Sequence, residues 1–569
     1  MRLQVRLAAV TAALLLLGGG LTAFFAATST AGAAAGKTLV ELDTDVAPDL
    51  DPDGSAPADP GFMTAELNMF DTLVNYPLKL VNGAYVPNYK VSQTGFAPGL
   101  ATSYSHKGLV WTFNLRHGVK SCAGNTFTSA DVVYTYARAK SASGDSAIAG
   151  FVGIVGGIFT PAIYGKNPAA KKLHGEVKAL GAYKVQFTQT GPNALFPNVL
   201  TTWLGAPFDS KEMLKHATAA DPWSHVWTNT TSTAGFGAYC LDQWTKGGSE
   251  TFTVNPNYTW GPKPVYTKVI VDQVASDSER LAGLLNGTAN IATALTPSEL
   301  QRAGQDSSLN LLSWNNTANQ VSLGINYKYP PFNDPTKTKL LRQAIAYALP
   351  YDAIGKEIYY GKFKQAQGEF ASGFTDYVPV GEYKQNIAKA KALMAQAGFP
   401  NGKGLPANSP AFKLTYTAER ASTLLPMANL ISTALAQIGI HVTLNPIPAV
   451  QEISGETSKY NLGMFIRDGS RALVGDVGYA TLLYFAPASI GGLSPSVNYD
   501  SPVVNKEYLI SAKTVGAVRQ AALTKVQQVA MADLSFIPIG SVASQLPVTK
   551  GITGWYGNVY DTLVWKFLK

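Results

Sequence analysis

Beyond the apolar N-terminal run, Thr38 to Asp43 is the first stretch in which apolar and polar side chains alternate. The alternation predicts a half-buried strand, brought to an end at Leu50, Asp51 and Pro52. Leu67 to Val74 has helical spacing. Leu109 to Leu115 (LVWTFNL) alternates again. Thr128 then caps a helix expected from Ser129 to about Ala139, with Asp131 in the first turn, where the helix dipole favours an acid. Glycine dominates from Gly144 to Gly157, which predicts either a surface loop, the commoner case, or a close approach of backbones. Strands are expected within Gly235 to Asn255 and at Val269 to Val274, followed by a helix at Ser278 to Leu285. Val321 to Asn326 reads as a strand, and Lys339 to Leu349 as an amphipathic helix stopped by Pro350. Ile387 to Ala397 and Leu424 to Gln437 are helical, ended at Gly398 and Gly439, and His441 to Leu444 is a strand. A helix at Val518 to Asp533, a strand at Phe536 to Ile539 and short aromatic-rich strands within Gly551 to Leu568 complete the pattern. Strands and helices interleave throughout, so the fold class is α/β.

The chain has 569 residues, 46% hydrophobic and 14% charged, enough for two to four packed units. Arg2 and Arg6 precede an uncharged run that lasts to Lys37, with Leu14 to Leu17 at its centre and small residues at Ala31 to Ala35. This is the pattern of an export signal occupying residues 1–35 and cut near 33 to 35. The alternative is a retained anchor, because Leu7 to Ala27 is long enough to span a bilayer. No later segment approaches the roughly 18 apolar residues a membrane helix needs. Loss of the leader removes two of the 45 basic residues and none of the 37 acids. The remaining positive excess is modest and scattered, which argues against nucleic acid as a partner. Cys122 and Cys240 are the only cysteines, so the leader has no thiol for a lipid anchor. In an oxidising compartment the two either pair or stay as buried thiols.

The chemistry of an enzyme is not visible. The six histidines form no H-E-x-x-H or comparable spacing, and no G-x-S-x-G elbow or phosphate loop occurs. Asp49, Asp51, Asp53 and Gly54 imitate half of a calcium loop, but Pro60 stands where the bidentate acid belongs. No metal or cofactor is expected.

Several ordered segments carry a more specific signal. Pro98, Leu100 and Ala101 precede Trp111 to Val119 (WTFNLRHGV) and Phe127 to Val133 (FTSADVV); Gly235 to Tyr239 reads GFGAY and is followed by Asn255, Asn257, Tyr258, Trp260 and Gly261. Asp277, Arg280, Leu284, Gly287 and Ile291 come next, then Leu341 to Ile354 (LRQAIAYALPYDAI), Tyr383 to Phe399 (YKQNIAKAKALMAQAGF) and Ile438 to Val442 (IGIHV). Gln527 and Asp533 precede Ile537, Pro538 and Ile539. In this order, over nearly the whole chain beyond the leader, the segments resemble the family-5 extracellular solute-binding proteins, which include oligopeptide-, dipeptide- and nickel-binding components of bacterial importers. Ala238, Asn290 and the Pro350–Tyr351 pair depart from that pattern.

The resemblance implies a two-lobed periplasmic-binding-protein type II clamp with a discontinuous first lobe. Lobe I would comprise residues 36–75, 200–318 and 541–569, with a subdomain inserted at 76–199, and lobe II residues 319–540. The chain would cross near Asn316 to Ser322 and return near Gly540. In peptide-binding relatives an aspartate of lobe two receives the ligand amine. Phe465 to Tyr484 (FIRDGSRALVGDVGYATLLY) corresponds by position, so Asp468 and Asp476 are both candidates, each as readily a surface acid. Arg467 stands where a tryptophan is usual, and Ile453 near another aromatic position. Arg467 or Arg471 would hold a carboxylate or face solvent, Tyr479 belongs to the same region, and Asp53 to Phe62 forms the opposing edge. The implied function is a passive receptor, not an enzyme. It would be exported to the periplasm or cell exterior, monomeric, and would deliver a small solute, first of all a peptide, to a permease with separate ATPase subunits. Oligosaccharides and nickel chelates are the next ligands. Rival readings are an exported hydrolase on an unrelated α/β scaffold and an anchored sensory or adhesion protein.

Overall fold

The computed structural model describes residues 36–569 except 54–58, 92–93, 142–145, 147, 160–171, 232–233, 316–317, 449–461, 470–471 and 494–495. The leader, its cleavage region and Ile453 therefore lie outside the described residues. Thr38–Lys569 forms one unit, whose first strand begins one residue earlier.

Two large sheets organise this unit. The first has seven strands in the order Tyr239–Thr245, Ser249–Val254, Tyr266–Gln273, Lys37–Asp43, Ile291–Ala292, Ser544–Thr549 and Leu309–Trp314. The second has six: Phe363–Gln365, Phe536–Val542, Val321–Ile325, Met464–Asp468, Lys413–Thr417 and Thr443–Ile447. The chain leaves the first sheet after Trp314 and enters the second at Val321; it returns between Val542 and Ser544. A separate four-stranded sheet, Ala101–Lys107, Val110–Leu115, Lys184–Thr188 and Val177–Ala179, lies within the span between the first strand and Tyr239.

Local sequence explains most of these elements. Val321–Ile325 is buried at every position, as an interior strand covered on both faces must be. Its Gly324 stands opposite Phe465, and a Cβ there would come within 2.5 Å of the Phe465 ring. The helix Ser129–Ser141 opens with Asp131 Oδ2 accepting from Thr128 N at 2.7 Å. Asp131 Oδ1 takes Ser210 N at 2.9 Å and Ser210 Oγ at 2.6 Å, so one acid serves both as a cap and as a tertiary tie. The C-terminal Trp565 is fully buried and donates through Nε1 to Glu41 Oε2 at 2.7 Å, fixing the end of the chain to its first strand. Cys122 and Cys240 are bonded, S–S 2.04 Å, which ties the Val119–Phe127 turn to the start of Tyr239–Thr245.

Three expectations are corrected. The helix expected at Leu67 to Val74 is instead Pro60–Met69, followed by the short strand Val74–Asn75. Asp59 caps it by accepting from Phe62 N at 3.0 Å, with Pro60 in the first turn; that Asp-Pro pair outweighs the apolar spacing farther on. Within the glycine-rich stretch, Ala149–Val155 is a π-helical turn with most positions buried. A Cβ on Gly153 would strike Phe159, and one on Gly156 would strike Val199, so close backbone approach wins over a surface loop. Finally, Gly551 to Leu568 forms turns, a single bridge from Tyr556 to Tyr85 and the short helix Trp565–Phe567 in place of strands. Its aromatic side chains cap the first sheet instead of extending it.

The seam between the two sheets

Strand direction decides which residues meet at the seam. Met464–Asp468 runs antiparallel to Val321–Ile325, so Asp468 lies opposite Val321, the residue with which the chain enters the second sheet. Beyond it the chain forms a bridge at Thr375 and Asp476, with Thr375 N donating to Gly475 O at 2.9 Å and Val477 N to Thr375 O at 3.1 Å. Thr375 Oγ1 donates to the carbonyl oxygen of Tyr89, from the span between the first strand and Tyr239. The Tyr89 ring lies on Gly475, where an added Cβ would sit 2.5 Å from Cγ of the ring. Tyr560 Oη donates to Leu473 O at 2.5 Å, and its ring meets Trp203 edge-on at 4.9 Å. Phe151 meets Tyr479 edge-on at 5.6 Å, and Ala194 N donates to Ala512 O at 2.8 Å. Residues on either side of the crossings thus meet in several direct contacts. Burial pushes the phenols of Tyr89, Tyr479 and Tyr560 up, so all three stay neutral.

The predicted site residues have different surroundings. Asp476 is buried and bound to Arg519, whose Nη2 lies 2.6 and 2.7 Å from its two oxygens. It also caps the helix Val477–Tyr484 through Tyr479 N at 3.0 Å. Arg467 is buried with its guanidinium over the rings of Tyr484 and Phe536, 3.9 and 4.1 Å from their centroids, and does not face solvent. Burial raises the nearby Glu369 carboxyl well above its usual range, with Arg467 opposing the shift. Asp468 is 11% exposed and pairs with Arg420 Nη1 at 2.7 Å, where Arg420 is 55% exposed. Arg471 lies outside the described residues.

On the other side, Asp53 is buried. Its Oδ1 accepts from Ile148 N at 3.0 Å and from Ser146 Oγ, and its Oδ2 lies 3.5 Å from Arg138 Nη1. The neighbouring Asp51 accepts from Arg138 Nη1 at 2.8 Å and lies 2.8 Å from His225 Nδ1. Burial alone would raise Asp51, but the Arg138 charge and the hydrogen bonds with His225 and Arg138 hold its carboxyl below the usual range. Phe62 is fully buried in its helix. Asp53, Phe62, Tyr479, Asp476 and Arg467 are thus buried, whereas Asp468 pairs with the largely exposed Arg420.

Tyr89, Thr375, Gly475, Tyr560 and Arg519 were not predicted. Arg519 had a readable sign: it falls on the buried face of Gly516–Asp533 with Ala522, Leu523, Val526 and Ala530, and a charge on such a stripe needs a buried partner. The seam tyrosines and Gly475 lack a comparable sign, because only the partner across the seam distinguishes them.

A cavity of about 580 Å³ adjoins both crossings. Ser313 and Asn315 line it from the end of the first sheet; Lys362 to Gln367 line it from the edge of the second, joined by Phe370, Tyr377 and Ser541 to Ala543. Its size suits a small organic ligand. Among the described residues no group of three or more His, Cys, Asp or Glu side chains could hold a metal ion.

Comparison with known proteins places this geometry. Residues 95–489 match the model of the bacterial extracellular solute-binding proteins, family 5 Middle. The dipeptide-binding protein of Escherichia coli (strain K12) is 27% identical over 370 residues, 63% of this chain and 64% of that protein; the match thus leaves over a third of the relative's length uncovered. The glutathione-binding protein GsiB of Pectobacterium atrosepticum is 24% identical over 80% of this chain and 82% of its own. The Helicobacter pylori periplasmic binding protein DppA, solved in complex with the peptide STSA, superposes with a TM-score of 0.71 at 23% identity, covering 94% of this chain and 98% of that one. The Listeria monocytogenes substrate-binding protein CtaP superposes at 0.74 with 20% identity, covering 94% and 99%. Two large sheets joined by paired crossings, sharing this fold with solved periplasmic binding proteins, and a family match over most of the sequence lead to one assignment: the chain belongs to family 5 of the bacterial extracellular solute-binding proteins and has their two-lobed type II clamp fold.

Proposed function

We propose that this protein is the substrate-binding component of an importer, which encloses a small peptide between two lobes and hands it to a membrane permease driven by separate ATPase subunits. Lobe I takes residues 36–75, 200–318 and 541–569, lobe II residues 319–540, and residues 76–199 are an insertion in lobe I; the division of the strands between the two large sheets supports these bounds. The observation that carries the reading is the seam: Tyr89 and Tyr560 reach across to Thr375 and Leu473, contacts that exist only while the lobes are together. A ligand that adds further contacts across the same line shifts the population toward closure. Peptides are favoured because relatives named for dipeptides and glutathione, and a structural neighbour holding the peptide STSA, surround this chain. Asp468 is the proposed receiver of the ligand amine, displacing the largely exposed Arg420. The protein works exported, with its leader removed, as a monomer that binds its guest without transforming it.

The test is to identify by mass spectrometry the small molecule that copurifies with the protein, and to measure melting with pools of di- to tetrapeptides. A true ligand at 100 times its dissociation constant adds about 2.7 kcal/mol. Pools that leave melting unchanged, with no peptide copurifying, refute the peptide reading.

A further inference from the structure

We infer that the outer face of the four-stranded sheet is a docking surface for an anionic lipid bilayer. Register fixes which side chains that face carries. Trp111 pairs with Phe187 and Phe113 with Val185, and Val177 lies beyond Phe187. All five are buried, so one face of the sheet belongs to the core. Alternation sends the intervening residues to the other side: Asn114 opposite Lys184, Thr112 opposite Gln186, and Lys178 beyond Gln186. Ser105 and Lys107 continue the same face on the far edge strand. A slip of one residue would bury these lysines and expose the aromatic rings, so the core holds the charged face outward.

Lys107, Lys178 and Lys184 are exposed, and none is in an ion pair among the described residues. Lys178 and Lys184 are diagonal neighbours on adjacent strands, whereas Lys107 stands at the opposite edge, about 14 Å away at the usual strand spacing. Between them lie hydroxyl and amide side chains, and no acid or aromatic ring shares the face. The surrounding sequence has the same bias. Residues 76–199 hold twelve lysines and arginines against three acids, while the rest of the chain beyond the leader holds 31 against 34. Of the three acids, Asp131 is buried as a helix cap and Glu176 is bound to Lys140. Soluble surfaces ordinarily intersperse both signs, and a flat face of one sign attracts a plane of the other. A bilayer of phosphate headgroups is such a plane, its oxygens accepting from the ammonium groups and from the hydroxyls and amides between them. Nucleic acid fits less well, for want of rings on which bases stack. The face has no large apolar side chain to insert, so attachment is electrostatic and reversible. Cys122 and Cys240 are bonded to each other, and this face supplies the hold on the membrane that a lipidated cysteine would otherwise give.

The experiment mixes the protein, freed of its leader, with sedimenting vesicles of phosphatidylcholine alone or of equal parts phosphatidylcholine and phosphatidylglycerol. The anionic vesicles are expected to hold it at least about tenfold more tightly, a margin that vanishes at about 1 M salt. In Lys107→Gln/Lys178→Gln/Lys184→Gln the margin should vanish at low salt too, with melting unchanged from the parent. Lys403→Gln/Lys413→Gln/Lys513→Gln removes the same charge from exposed positions elsewhere and should keep the margin. Equal binding to both vesicles would overturn the inference. So would a loss as complete in the second triple variant as in the first, because net charge and not this face would then be responsible. Capture by soluble polyphosphate with no preference between the vesicles would overturn the lipid assignment in favour of an anionic polymer.

Discussion

Arg519 holds two acids at once: its Nη2 lies 2.6 Å from Oδ1 and 2.7 Å from Oδ2 of Asp476, while its Nε donates to Oδ2 of Asp376 at 2.7 Å. Both Arg519 and Asp476 are almost wholly buried. Asp476→Ala leaves the buried guanidinium with Asp376 as its acid partner and a long bond to Ser511 O, and breaking a buried pair from one side costs roughly 3–5 kcal/mol. Denaturant unfolding should show that loss in the absence of any ligand. If Asp476→Ala unfolds like the parent protein and only its ligand affinity falls, the structural role assigned to the pair is wrong.

Gly475 lies beneath Tyr89. Gly475→Ala places a methyl group 2.5 Å from the ring, and overpacking of this kind costs about 1–3 kcal/mol. Because the clash exists only where Tyr89 meets Gly475, it penalises the closed arrangement. Ligand affinity should weaken by roughly tenfold or more, with a larger radius of gyration by small-angle scattering, and adding Tyr89→Ala should relieve both effects.

The Cys122–Cys240 bond closes a separation of 118 residues. Cys122→Ser/Cys240→Ser should lower stability by about 3–5 kcal/mol on the chain-entropy account. Equal melting of the oxidised protein and the variant would show that the link adds nothing beyond the surrounding core.

Carboxyl groups crowd the first strand and the segment after it. Burial, with Asp43, Asp59 and Asp45 adding repulsion, pushes Glu250 up to about 8, although it accepts from Ala47 N. Asp45 is raised to about 6 by burial and by Asp59 beside it. Burial also raises Glu41 and Glu66, the latter with neither oxygen hydrogen-bonded among the described residues. These groups bind protons more tightly folded than unfolded. Their contribution is fully present below the ordinary carboxyl range near pH 4 and is lost as pH rises through about 6 to 8. Asp51, held low, acts in the opposite sense only in strong acid. Melting temperature should therefore fall between pH 6 and pH 9, and Glu250→Gln should flatten the decline; a profile that rises over that interval would contradict this account.

Strand and helix order was legible because it depends on local alternation and caps: Val321 to Asn326, Lys339 to Leu349 and the Thr128 cap read directly from neighbouring residues. The lobed fold came from ordered family motifs, which no single helix or strand carries. The contact partners of the site were hidden. Asp476 and Asp468 look alike in sequence, and only the approach of Arg519, 43 residues later, and of Arg420, 48 residues earlier, separates a buried tie from an exchangeable one. Gly475 reads as an ordinary turn glycine until Tyr89, almost 400 residues away, is placed upon it. Short periodicity cannot encode which distant surfaces meet.

The strand Lys37–Asp43 sits inside the seven-stranded sheet beside Ile291–Ala292, and Ser544–Thr549 fills the gap between Ile291–Ala292 and Leu309–Trp314. A polypeptide made from its N-terminal end cannot finish that sheet until Ser544–Thr549 has been made. Such distant pairing is intrinsically slow to form. The topology thus delays completion of the first sheet until its strand farthest along the sequence has joined.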